Sequence, residues 1–149
     1  MRAVVQRVKS AKVEVNEEIT GEIDSGLLVF LGIGKKDKQE DADYLLDKII
    51  NLRIFEDQNQ RLNLSALDLG KDLMLVSQFT LFGDCRQGRR PSFFEAAPPA
   101  EAEKLYNYFV KEAEKSELKI ETGEFQAMMD VSLVNDGPVT ILVDSKKNF

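Results

Sequence analysis

Ala3-Val4-Val5-Gln6-Arg7-Val8, Lys12-Val13-Glu14-Val15, Ile19-Thr20-Gly21-Glu22-Ile23 and Leu27-Leu28-Val29-Phe30-Leu31-Gly32-Ile33 follow one another at the start of the chain. Apolar and polar residues alternate with period two in Lys12 to Val15, and Leu27 to Ile33 is almost wholly apolar, so each segment reads as a strand. Gly21, Gly26, Gly32 and Gly34 punctuate them. Several of these strands are close enough for hairpins, which suits a mixed sheet.

Helical spacing follows. After the charged stretch Lys35 to Asp41, the residues Ala42, Leu45, Leu46, Ile49 and Ile50 recur at helical intervals, with acids near the start where the helix dipole favours them. A second helix opens at Pro98-Pro99 and carries Ala102, Leu105, Tyr106, Phe109 and Ala113 on one face. Between the helices, a polar connector from Glu56 to Asn63 leads into Leu73-Met74-Leu75-Val76-Ser77-Gln78-Phe79-Thr80-Leu81. That apolar run turns alternating, the pattern of a buried strand emerging at a sheet edge or cleft. Val131 to Val134 and Val139 to Val143 read as two closing strands separated by Asn135-Asp136-Gly137-Pro138. The expected fold is an α/β single domain over residues 1–149, a mixed, curved, barrel-like sheet with two main helices.

Composition narrows the chemistry. The chain has 149 residues, 43% hydrophobic and 31% charged, which is globular. The longest apolar stretch, Leu27 to Ile33, falls far short of the roughly 20 residues a bilayer needs, and charges interrupt the first nine residues where a signal peptide needs an apolar core. A single cysteine, Cys85, forms no internal disulfide. These features give the expectation of a cytoplasmic protein with no membrane partner. Zero histidines remove the usual general base of neutral-pH chemistry and the commonest metal ligand together. Histidine-dependent triads and zinc motifs are excluded, and neither a metal nor a cofactor is expected. Carboxylates, a lysine, hydroxyls, backbone N–H groups or the substrate's own groups remain.

Three constellations stand out. In a strand, Gln78 and Thr80 project together on the face opposite Ser77, Phe79 and Leu81, a pattern shared with any amphipathic strand wetted on one side. Asn135-Asp136-Gly137-Pro138-Val139-Thr140 has the residues of an ordinary turn, although a Gly-Pro bond admits the cis form found in about 5–6% of X-Pro bonds. Arg86-Gln87-Gly88-Arg89-Arg90-Pro91 is a basic loop suited to phosphates or simply to water. The net charge of −6 disfavours a general grip on polyanions.

Taken together, Met1 to Val8, Thr20-Gly21-Glu22-Ile23, Val76 to Leu81, Gly88-Arg89-Arg90-Pro91-Ser92-Phe93 and Val131 to Thr140 resemble the D-aminoacyl-tRNA deacylase family nearly end to end. Its Ser-Gln-Phe-Thr and Asn-x-Gly-Pro-Val-Thr motifs stand here in order and complete. The resemblance implies hydrolysis of the ester of D-aminoacyl-tRNA, and of mischarged glycyl-tRNA, at the tRNA 3′ end. It implies catalysis at Ser77, Gln78, Phe79 and Thr80, with the Phe79 and Thr80 N–H groups as oxyanion hole. A covalent role for the Thr80 hydroxyl ranks second, since no evident base activates it. The resemblance also implies a cis Gly137-Pro138 braced by Arg7, which reaches into the other subunit of a homodimer as the chiral filter. Phe125 and Met129 match positions that hold the terminal adenine, and plain core packing accounts for them equally well. Gln126 departs from the small residue usual there. A noncatalytic module that binds tRNA ends is the alternative class.

Overall fold

The computed structural model describes residues 1–149. Its backbone is organised around one strand, β1 (Arg2–Val15), which pairs antiparallel with three others. The first half of β1 lies beside β3 (Gly26–Gly32) and the second half beside β2 (Glu18–Ile23). Its opposite edge is covered along nearly its whole length by β8 (Asp130–Asp144). The two N-terminal strands expected at Ala3–Val8 and Lys12–Val15 are therefore a single strand, because Lys9 and Ser10 keep the extended path and are exposed.

Beyond β3 the sheet turns parallel, through β6 (Asp72–Ser77) and then β7 (Ile120–Thr122). The connection from β3 to β6 carries α1 (Gln39–Ile50), a small hairpin of β4 (Phe55–Glu56) and β5 (Leu62–Leu64), and the single-turn α2 (Ala66–Leu69). The connection from β6 to β7 carries α3 (Pro99–Ala113). The sheet is mixed and curls so far that β2 approaches β7: a Cβ on Gly21 would meet the Thr122 carbonyl oxygen at 2.7 Å. This is the barrel-like α/β fold expected, with its two main helices and one additional helical turn.

Strand alternation sends side chains to two cores. Ala3, Val5, Leu27, Val29, Leu31, Leu73 and Leu75 face the helices and meet Leu45 and Ile49 of α1 and Phe109 of α3. Val8, Val13, Ile23, Leu28, Met74 and Val76 fill the concave side. The helix ends follow their sequence: the Asp41 carboxylate accepts the Lys38 N–H at 2.9 Å at the start of α1, and Pro99 opens α3 where a missing N–H costs nothing. Tyr106 of α3 donates its buried hydroxyl to the Leu75 carbonyl at 2.9 Å, which ties α3 to the back of β6. No helix is long and apolar enough to cross a membrane.

Two local expectations are corrected. The strand expected to run from Leu73 to Leu81 ends at Ser77, and Phe79–Phe82 form a 3-10 turn. The Gln78 N–H still donates to Leu31 at the end of β3, but β3 itself stops at Gly32 and offers no further ladder. The second correction concerns Asn135–Pro138, which does not join two strands by a turn. Val131–Val134 and Thr140–Asp144 both pair with β1 along one continuous line. Gln6 faces Thr140 and Val8 faces Asn135, so two steps along β1 correspond to five along β8. The surplus residues bulge out of the sheet.

Candidate active site

Gln78 and Thr80 meet by a route other than the strand pleat. The Gln78 side-chain amide donates to the Thr80 hydroxyl across the start of the 3-10 turn. The first N–H groups of such a turn find no acceptor within it. Those of Phe79 and Thr80 make no hydrogen bond outside it either. They are two adjacent donors at an exposed position, which is the raw material of an oxyanion site. The turn is held from below. Gly32 lets it settle onto β3, since a Cβ there would lie 3.0 Å from both the Gln78 carbonyl oxygen and the Leu81 Cβ. Arg2 donates to the Leu81 carbonyl at 3.0 Å and lays its guanidinium 4.5 Å from the centre of the Phe82 ring.

The turn borders a mostly apolar cleft of about 840 Å³. Ser77, Gln78 and Phe79 form one part of its lining, and the segment from Phe125 to Met129 forms another. Phe125 also packs on the core, with its ring centre 5.7 Å from that of Tyr106, and Met129 rests against the concave-side cluster. Core packing and cleft lining are thus both true of these side chains. Gln126 between them has φ 61, in the left-handed region that favours glycine.

Gly137 and Pro138 lie elsewhere. Their peptide bond is cis, both residues are exposed, and neither lines the cleft of its own chain. The bulge that carries them is nonetheless firmly anchored. The Asn135 side-chain amide donates to the Arg7 carbonyl at 3.0 Å and to the Val139 carbonyl at 3.1 Å, closing the two ends of the bulge. Arg7, almost fully buried, donates through Nη1 to the Ile54 carbonyl at 2.7 Å and through Nε to the Asp136 carbonyl at 3.3 Å, and pairs with the Asp136 carboxylate at 3.2 Å. Gly137 is required by its φ of 120 and by crowding, since a Cβ would lie 3.0 Å from Arg7 Nη2.

The basic loop divides. Arg86 is committed to Asp84 by two side-chain bonds of 2.9 and 2.7 Å, and these hold the Asp84 carboxyl far below the usual carboxylate range. Arg89 and Arg90 are exposed. Sequence reasoning did not single out Arg2, Asn135 or Ile54 as supports of these features. Asn135 sits inside a quoted motif, but Arg2 and the Ile54 carbonyl carry no local signal.

The model of the family described as D-Tyr-tRNA(Tyr) deacylase matches residues 4–144. Over 149 residues, covering all of both chains, the sequence is 63% identical to the D-aminoacyl-tRNA deacylases of Thermosipho africanus and of Halothermothrix orenii. Among solved structures, one titled c-Myc DNA Unwinding Element Binding Protein superposes with TM-score 0.92 at 40% identity, covering 97% of this chain and 98% of that one. A structure titled as a probable eukaryotic D-amino acid tRNA deacylase superposes with TM-score 0.85 over 96% of this chain and 98% of that one, at 16% identity, and so shares the fold. With the family model spanning β1 to β8 and full-length relatives at this identity, the chain belongs to the D-aminoacyl-tRNA deacylase family.

Proposed function

We propose that this chain is a cytoplasmic homodimeric hydrolase that cleaves the ester of D-aminoacyl-tRNA, and of mischarged glycyl-tRNA, releasing free tRNA and amino acid. The observation that carries this reading is a separation. Two unpartnered N–H groups sit at the turn whose Ser77, Gln78 and Phe79 line a cleft, while the exposed Gly137-Pro138 bulge does not line that cleft in the same chain. A second copy completes the site.

In this reading the terminal adenine lies against Phe125 and Met129, and the ester carbonyl points at the N–H groups of Phe79 and Thr80. Gln78, already bonded to Thr80, holds the turn and positions the ester. Water adds to the carbonyl carbon, the two N–H groups stabilise the oxyanion, and the bond to the ribose 3′-oxygen breaks as that oxygen takes a proton relayed by the neighbouring 2′-hydroxyl. An activated ester needs no protein histidine for this. The Gly137-Pro138 carbonyls of the partner subunit receive the substrate ammonium and occupy the space an L side chain would need.

A surface for the second copy follows from strand register. Leu142 of β8, 59% exposed, lies opposite Val4 of β1, which lies opposite Phe30 of β3, which lies beside Val76 at the cleft. In this row Leu142 is exposed and Val4 and Phe30 are half-buried before it ends at the buried Val76, and apolar side chains left in water mark contact surfaces.

The test is release of amino acid from D-Tyr-tRNA and L-Tyr-tRNA at substoichiometric protein, with Gln78→Ala and Thr80→Ala beside the unaltered chain. Turnover of the D ester alone, lost in both folded variants, is expected. Full activity in both variants would sink the site assignment, and protection of tRNA without turnover would make the chain a tRNA-end-binding module.

A further inference from the structure

The cleft is lined by more than the segments placed in the reaction, since Phe93, Phe94 and Lys35 border it as well. At about 840 Å³ it lies toward the upper end of pockets that take a drug-sized ligand, about 300–1,000 Å³. Beyond the Ser77-Gln78-Phe79 turn its lining continues through Phe93, whose ring meets Phe79 edge-on at 5.0 Å, to Phe94 and Lys35. Phe94 is 72% exposed, which is unusual for an aromatic ring with no polar atom. Lys35 holds its ammonium 3.4 Å from the centre of that ring. One face of the ring carries a cation, and the exposure leaves the other open.

Charge around this point departs from that of the whole chain. The net charge is −6, yet Lys35 borders the cleft and also a polar groove of about 700 Å³ that holds Arg2, Lys36, Arg86 and Lys146. The carboxylates Asp37, Asp84 and Asp144 in that groove are each engaged by a cation; Glu95 also lines it. Lys35 and Lys36 form no ion pair, nor do Arg89 and Arg90 of the nearby loop. An exposed aromatic face beside unpaired cations is the arrangement that binds single-stranded nucleic acid, with a base stacked on the ring and a phosphate on the cation.

We propose that Phe94 and Lys35 form a second nucleotide subsite, which stacks the base next to the terminal adenosine on Phe94 and holds the connecting phosphate at the Lys35 ammonium. The inference rests on the deacylase reading above and extends it from a nucleoside site to a dinucleotide site. Stacking tolerates any base, so the subsite adds affinity for an RNA end without reading its sequence.

The experiment compares three D-tyrosyl esters, carried on adenosine, on the dinucleotide cytidylyl-adenosine, and on the same dinucleotide with an abasic first position. The unaltered protein is expected to show a kcat/KM roughly tenfold higher for the complete dinucleotide than for adenosine, from the stacked base and the phosphate. Phe94→Ala removes most of that advantage and leaves the adenosine ester unchanged; with the abasic dinucleotide the variant and the unaltered protein are equal. Lys35→Gln weakens both dinucleotides and lowers their salt dependence. Equal kcat/KM for adenosine and dinucleotide esters in the unaltered protein overturns the subsite while leaving the deacylase reading intact. So does an equal loss on all three esters in Phe94→Ala. A change of oligomeric mass in that variant, read by light scattering, overturns it too, because the ring would then seat a second copy. Turnover of no ester by the unaltered protein overturns the deacylase reading and the subsite with it.

Discussion

Replacing Arg7 by methionine isolates the brace behind the Gly137-Pro138 bulge. Methionine keeps the apolar stem that packs in the sheet and deletes the guanidinium. Three interactions are lost: the bond to the buried Ile54 carbonyl at 2.7 Å, the bond to the Asp136 carbonyl at 3.3 Å and the ion pair with the Asp136 carboxylate at 3.2 Å. Leaving a buried carbonyl without a donor costs about 1–3 kcal/mol. The ion pair adds at most about 1 kcal/mol, because the Asp136 side chain is 36% exposed and water screens it. The sum, about 1–4 kcal/mol, lowers the melting temperature of a chain this size by roughly 3–15 °C. Below that temperature the bulge remains in place through Asn135 but is less firmly held, so the D ester is still cleaved while the L ester begins to be cleaved. Thermal unfolding by circular dichroism and paired D-Tyr-tRNA and L-Tyr-tRNA assays read the two effects separately. Asp136→Asn, which removes only the ion pair, serves as control with a loss under about 1 kcal/mol. A melting temperature within about 2 °C of the unaltered protein would refute the bracing argument. A lowered melting temperature with an unchanged D-to-L ratio would instead refute the role of the bulge as filter.

Three further outcomes are expected. Leu142→Glu places a charge at an exposed position and leaves the monomer fold intact; light scattering is expected to show monomers and deacylation to fall with dimer content, and an active monomer contradicts the cross-subunit site. Arg2→Met releases the Leu81 carbonyl and the Phe82 ring, so kcat is expected to fall roughly tenfold with little change in KM as the 3-10 turn loosens; a change confined to KM counts against that support role. For Asp41, burial opposes ionisation, but the Lys146 ammonium and the Lys38 N–H outweigh it and hold the carboxyl at about 2, below its ordinary 3.8. Its stabilisation is therefore complete above pH 4 and is lost as pH falls towards 2. Asp41→Asn is expected to lose about 1–2 kcal/mol at neutral pH, screening at the half-exposed Lys146 keeping the figure low, and to flatten the denaturation curve between pH 4 and pH 2.

The sequence shows best what depends on neighbours along the chain. Ala42, Leu45, Leu46 and Ile49 marked α1, and Ala102, Tyr106 and Phe109 marked α3, because one face of each helix is buried and 3.6-residue spacing records it. What pairing decides across the sheet was not legible. Ser77 to Leu81 alternates like a strand, and only the end of β3 at Gly32 makes it turn after Ser77. Asn135 to Pro138 has turn composition, and only the register of both flanks on β1 makes it a bulge. The two motifs were therefore located by sequence, but their geometry was supplied by tertiary contacts. Arg2 shows the limit most clearly: its target, a main-chain carbonyl at Leu81, has no side-chain signature at all.

The use of backbone in both proposed functional elements has a common physical reason. A chiral filter acting on many D-amino acids must reject the L arrangement at Cα without reading the side chain, so side-chain pockets are the wrong material. Pocket contacts discriminate by size and polarity, at about 1–3 kcal/mol per methylene, and would favour some D substrates over others. Main-chain carbonyls in a bulge fixed by Asn135 and Arg7, acting as the proposed filter, would present the same shape to every substrate. The proposed oxyanion donors are backbone for a related reason. An N–H in a turn clamped by Arg2 and seated on Gly32 is already oriented, and reorients little as charge develops. A chain with no histidine thus needs rigidity where other hydrolases use a titrating side chain. The residues most sensitive to substitution should then be the supports, Arg2, Arg7 and Asn135, together with the turn itself. A substitution series in which these three were silent while Thr80→Val abolished turnover and Thr80→Ser kept it would point back to a side-chain nucleophile.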